Sequence, residues 1–161
     1  MKRKQLIVVG FIVIAIAFLS LFIFFTDDLE PIYLTSANQL IGVMGFEPVI
    51  LHSSLVVAGY YHSVTNTDLI TSHFYIAVLE DSYIFVKVDF TTQRWTLLRP
   101  NDIENAIIEG AIRRYNQSTY FRRLRNSLMN DWGFTYDEFN EMFTRYFVLV
   151  RPSGITVINP E

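Results

Sequence analysis

Three histidines, His52, His62 and His73, are the obvious general-base candidates in this 161-residue chain. They are ten and eleven residues apart, which matches no compact ligand spacing, and neither His-x-His nor His-Glu-x-x-His occurs. His62 and His73 flank a polar stretch over residues 63–72 and can face each other across a hairpin, with Asp68 inside that stretch. A hydrolase using one of these histidines with Asp68 is one reading of the group; local hydrogen bonding at strand ends and loops is the other. Ser153-Gly154 lacks the Gly-x-Ser-x-Gly setting of an exposed nucleophile and reads as turn chemistry. Glu80-Asp81 also reads as a turn, while Asp137-Glu138 falls in the first turn of a helix, where negative charge suits the dipole. There is no glycine-rich phosphate loop. Cysteine is absent, which excludes thiol catalysis, zinc thiolates and disulfides. No metal and no cofactor is expected.

Arginine is the stronger local signal. Arg113, Arg114, Arg122, Arg123 and Arg125 fall within thirteen residues. Residues 26–161 around them are acidic, with ten Arg and Lys against sixteen Asp and Glu, a formal −6, and Lys87 is the only lysine there. Such a surface makes nucleic acid a poor partner. If the segment is helical, Arg114, Arg122 and Arg125 lie near one another on its outward side. They would offer flat, bidentate contacts to lipid headgroups, another anionic ligand or an acidic protein surface. The competing reading is a solvated helix face whose arginines pair with Glu104, Glu109, Asp131, Asp137 and Glu141. Aromatics are the second excess. Tyr83 and Phe85 alternate with Lys87 and Asp89 on one side of a predicted strand, opposite Ile84, Val86, Val88 and Phe90. A face mixing aromatics with charge suits an interaction surface, unless a helix covers it.

The elements that must position these groups follow from periodicity. Residues 35–45 predict a short helix capped by Thr35 or Ser36 and closed by Gly45. Residues 49–61, 73–80, 83–90 and 94–98 read as strands of an antiparallel meander. After Pro100 the pattern turns helical: Asn101 caps, Glu104 completes a capping box, and Ile103, Ala106, Ile107, Gly110 and Ala111 form a stripe. Phe121, Leu124, Leu128 and Trp132 continue with spacings of three and four as far as Gly133. Thr135-Tyr136-Asp137-Glu138 is a capping box for a further helix. Residues 147–150 and 155–158, separated by Pro152-Ser153-Gly154, read as two short strands. The predicted fold is α+β, an antiparallel sheet meander with helices packed on one face.

Ahead of this domain, residues 6–25 carry no charge, and sixteen of the twenty are Leu, Ile, Val or Phe. Twenty helical residues span roughly 30 Å, the hydrocarbon thickness of a bilayer, so the segment predicts an uncleaved transmembrane helix. Lys2, Arg3 and Lys4 in residues 1–5 place the N-terminus on the cytoplasmic side and residues 26–161 outside, a single-pass protein of the cell membrane. Ala15-Ile16-Ala17 leaves a cleaved signal peptide as the rival. Asn116-Gln117-Ser118 is a sequon that matters only in a eukaryotic secretory route. The expected function is a non-enzymatic binding or assembly subunit of an envelope complex. Its partners would be the lipid bilayer through residues 6–25 and other membrane or envelope proteins. The binding residues are expected among Arg113, Arg114, Arg122, Arg123, Arg125, Tyr83 and Phe85. An immunity- or inhibitor-type binder of a toxin is the second class, since an acidic domain is drawn to a basic target.

Overall fold

A computed structural model describes residues 29–65, 67–115 and 119–158, and those from Pro31 on belong to the compact unit Pro31–Glu161. Six strands and two short helices are present among them. In chain order these are β1 (Ile32–Tyr33), β2 (Pro48–Val64), β3 (Asp68–Val78), β4 (Tyr83–Gln93), β5 (Ile103–Arg114), α1 (Thr119–Trp132), α2 (Tyr136–Met142) and β6 (Phe143–Val157). A single 3-10 turn, Ala37–Leu40, lies between β1 and β2.

The sheet runs β1-β2-β3-β4-β6-β5, and β2 also pairs with β5, so five strands close into a Greek-key barrel. Closure is possible because β2 is long and divided. Its first part, Pro48 to Leu55, pairs antiparallel with β5, and its second part, from Leu55 on, pairs antiparallel with β3. Register shifts near Ser53/Leu55 and Val57/Gly59 bend it between the two partners. β4 and β6 run parallel, and β5 and β6 antiparallel.

Two apolar clusters follow from the alternation of side chains. Inside the barrel lie Leu51, Leu55, Tyr75, Ala77, Ile84, Val86, Val88, Ala106, Ile108, Ile112, Val148 and Val150. Outside it, Phe74, Ile76 and Phe85 project from β3 and β4 against Leu124 and Leu128 of α1 and Phe139 of α2. β3 is thus buried on both faces, and its residues Thr71 to Ala77 are all buried. Each large side chain fully buried here stabilises the fold by about 1.5–3 kcal/mol.

The expected α+β meander is therefore corrected to a barrel. The error begins at residues 103–111. Ile103, Ala106, Ile107, Gly110 and Ala111 have helical spacing, but the fully buried residues are Ala106, Ile108 and Ile112, a period of two. The full strand β5 carries four isoleucines, which suit a pleated strand, and pairs on both edges, with β2 and β6. Residues 94–98 form a turn and irregular chain rather than a strand, and the two expected terminal strands are one continuous β6. Helices form at Phe121 and Thr135, the second only as far as Met142, with Phe143 and Tyr146 already in β6. Gly133, at φ 74°, closes α1, and Thr135 caps α2 with Glu138 completing the box.

The transmembrane reading of residues 6–25, with its rival cleavage site, lies outside the described residues, as do residues 1–5 and the sequon at 116–118. Among the described residues no helix is long and apolar enough to cross a membrane; the longer of the two has 14 residues. The single-pass placement, with a cytoplasmic N-terminus and an extracytoplasmic domain, is accordingly not retained.

Two stability measurements check this architecture. A Cβ on Gly110 would lie 2.6 Å from the Leu149 carbonyl oxygen and 2.7 Å from Val148 Cγ1, because β5 and β6 approach closely there. Gly110→Ala should lower unfolding free energy in urea by roughly 1–3 kcal/mol, as overpacking does. Asp81 ties the N-terminal 3-10 turn to the barrel by accepting bonds from the Ala37 amide at 2.8 Å and the Ser36 hydroxyl at 2.7 Å. The Ala37 amide and then the Ser36 hydroxyl hold its carboxyl below the ordinary value of 3.8. Its contribution should be complete above that pH and fade as pH falls through the lower folded value. Stability curves of wild type and Asp81→Asn should then converge in acid and separate above about pH 5.

Candidate functional site

The end of β5, the start of β6 and both helices enclose one open cavity of about 800 Å³. That is within the range of small-molecule sites. Its wall contains four arginines, Arg114, Arg122, Arg125 and Arg145, together with Phe85, Tyr115, Phe121, Tyr136, Phe139 and Asn140. Among the described residues no carboxylate belongs to it. Among the described residues the one ion pair is Lys87–Asp89 at 2.7 Å, elsewhere on β4. Among the described residues the four arginines therefore share one wall with no carboxylate at ion-pair distance.

Local structure explains which arginines arrive. Arg113 and Arg114 are neighbours on a strand, so they point to opposite faces. Arg114 enters the cavity wall, whereas Arg113 turns to the loop before β2, donating from Nη1 to the Gly45 carbonyl at 3.0 Å and lying 3.9 Å over the Phe46 ring. On α1, Arg122 and Arg125 are three residues apart and share a face, while Arg123 is exposed and outside the wall. Arg145 arrives from β6. The register sets Arg114 opposite Tyr146, and the Tyr115 amide donates to the Arg145 carbonyl at 3.3 Å.

The apolar side of the cavity is continuous with the outer cluster. Phe85 is buried at its floor and stacks on Phe139, with centroids 6.2 Å apart; Tyr115 stacks on Phe121 at 4.9 Å and 18°. Tyr83, expected beside Phe85 in an interaction face, instead packs on Phe143 at 5.3 Å and lies outside the cavity wall. The helices cover that sheet face. Burial pushes the Tyr115 hydroxyl above its ordinary 10.0, although Arg125 and Arg145 nearby pull the other way. It stays protonated at neutral pH, a donor among cations. Arg125 lies with its guanidinium carbon 5.1 Å from the Tyr136 ring centroid, and its Nε is buried without a hydrogen-bond partner. A buried donor left unsatisfied is costly, and such a group marks either strain or a place for a ligand.

The histidines do not assemble a catalytic group. His62 Nδ1 is 2.9 Å from Thr71 Oγ1, and Thr71 is fully buried. His73 lies within the barrel beside Phe90, its Nε2 3.3 Å from the Leu98 carbonyl. Burial lowers its pKa first; the Leu98 carbonyl opposes this and His62 adds to it. His52 is exposed on β2 opposite Ile107. Asp68 accepts from Thr67 rather than from an imidazole. Glu138 serves its helix cap, and Asp81 holds the 3-10 turn. Among the described residues no group of three or more His, Asp and Glu is placed to hold a metal ion.

Of the seven expected binding residues, the structure gathers Arg114, Arg122, Arg125 and Phe85 at one cavity and places Arg113, Arg123 and Tyr83 elsewhere. Arg145, Tyr115, Tyr136 and Asn140 are wall residues that local sequence did not point to. The pairing of the arginines with Glu104, Glu109, Asp131, Asp137 and Glu141 does not occur among the described residues. No family model, curated protein or solved structure matches the chain.

An uncompensated cluster carries a cost in the ligand-free protein that removing one member should relieve. Arg125→Met is expected to raise unfolding free energy by about 1 kcal/mol at low ionic strength, since it deletes a buried unsatisfied donor and one of four like charges. The gain should shrink in 1 M salt, where the charge part is screened, and chemical denaturation at both salt concentrations measures it.

Proposed function

We propose that this protein is a non-enzymatic binding barrel whose cavity takes a small anionic ligand. The observation supporting this most directly is that four arginines line one cavity whose wall, among the described residues, contains no carboxylate. Arginine is suited to the task because its planar fork donates two parallel hydrogen bonds to phosphate or carboxylate oxygens. Mounting the arginines on the end of β5, the start of β6 and a helix packed to the barrel fixes their backbone positions before the ligand arrives, which reduces the ordering cost of binding.

No reaction is assigned. Among the described residues the cavity wall holds neither a histidine nor a carboxylate to move a proton. A binder of a basic target would rest on the net charge of the domain alone, and the cavity has the opposite sign.

The test is a thermal-shift and calorimetric titration with inorganic pyrophosphate, sulfate and citrate, with spermine as the cationic control. At least one anion should bind, and at a hundred times its Kd it should raise Tm by roughly 5–10 °C. The effect should weaken with added salt and disappear in the Arg122→Gln/Arg145→Gln double variant. Absence of any anion effect on the folded protein, or retention of the full effect by the double variant, would refute the proposal.

A further inference from the structure

Charge, ring surface and one amide in the same wall narrow the class of ligand. Four guanidiniums present a formal +4, and a monoanion would leave three of them unmatched, so the complementary ligand carries several negative charges. The wall is aromatic as well as cationic. Tyr136 is 54% exposed; Arg125 lies against its ring, and the area left open is a shelf on which a flat ring can stack. Asn140 stands four residues beyond Tyr136 on α2, so the two share one helix face and both belong to the cavity wall. A carboxamide presents an acceptor and a donor side by side, the pattern that pairs with the edge of adenine.

We infer that the ligand is a nucleoside di- or triphosphate, its base stacked on Tyr136 with its edge toward Asn140, and its phosphates held by Arg114, Arg122, Arg125 and Arg145. This rests on the anion-binding reading above and adds the ring and its edge to it. The buried Nε of Arg125 then gains the acceptor that it lacks in the free protein. Free nucleotide is compatible with the acidic surface in a way that a long nucleic acid is not, because only the small ligand avoids the rest of the domain's −6.

Calorimetry on the full chain with ATP, inorganic tripolyphosphate, adenosine and benzene-1,3,5-tricarboxylate separates the terms. ATP should bind at least ten-fold more tightly than tripolyphosphate and more tightly than the tricarboxylate, and adenosine should not bind detectably. Tyr136→Ala and Asn140→Ala should each cut the advantage of ATP over tripolyphosphate at least three-fold, and an advantage unchanged in both variants would refute the nucleotide assignment. The tripolyphosphate affinity also reports that each variant is folded. If tripolyphosphate binds as well as ATP, or the tricarboxylate binds better, the nucleotide assignment is wrong and the anion reading stands. If none of the four binds, both are wrong.

Discussion

The pairing of β2 with β5 makes this molecule a barrel, and the site depends on it. Without that ladder, β2 to β6 would be an open sheet with two edges. With it, the register of β5 against β6 is set by a closed ring, and a strand in a closed ring cannot slip by one residue without turning its whole buried set outward. Arg114 is therefore held opposite Tyr146, and Arg145 beside Tyr115. The charge cluster is a product of closure, not of local sequence.

Closure also explains why a cavity forms at this end of the barrel. The outer faces of β3 and β4 carry Phe74, Ile76 and Phe85, which water would leave exposed, and α1 and α2 cover them. The helices that shield these rings bring Arg122, Arg125, Tyr136 and Asn140 to the rim. One packing requirement, the burial of three large side chains outside the barrel, thus assembles apolar floor and cationic wall together. The uncompensated charge is the opposite of what stability alone would select, and such departures concentrate at functional sites.

Parts of this were legible in the sequence. The alternation of Ile84, Val86 and Val88 against Tyr83, Phe85, Lys87 and Asp89 places the strand and its two faces correctly, since period-two burial is a local property. The capping box at Thr135 and the stop at Gly133 are local as well. Residues 103–112 were misread because a stripe at three- and four-residue spacing overlays a period of two, and only the partners β2 and β6 decide between them. Arg114, Arg122 and Arg125 line one cavity, but not as the face of a single helix. They meet because a strand end and a helix converge, not because one helix carries them all. Arg145 gave no local signal, being twenty residues beyond Arg125 and brought in by pairing alone. The arginine–acid pairing expected from composition failed for a related reason: abundance of both signs in a sequence does not place them side by side in space.

The helical segment between β5 and β6 joins two strands that already lie next to each other. It is an excursion from a hairpin, and the barrel's ladders do not run through it. Its solvent-facing residues can consequently drift in descendants of this chain at little risk to the ring, so long as Leu124, Leu128 and Phe139 keep their seats over the sheet. Tyr136 and Asn140 lie on that freely changing portion, whereas Arg114 and Arg145 are rooted in the ladder. Under the proposed anion-binding reading, ligand preference is then the trait most open to evolutionary change, while the part of the positive charge carried by Arg114 and Arg145 is what the architecture tends to preserve.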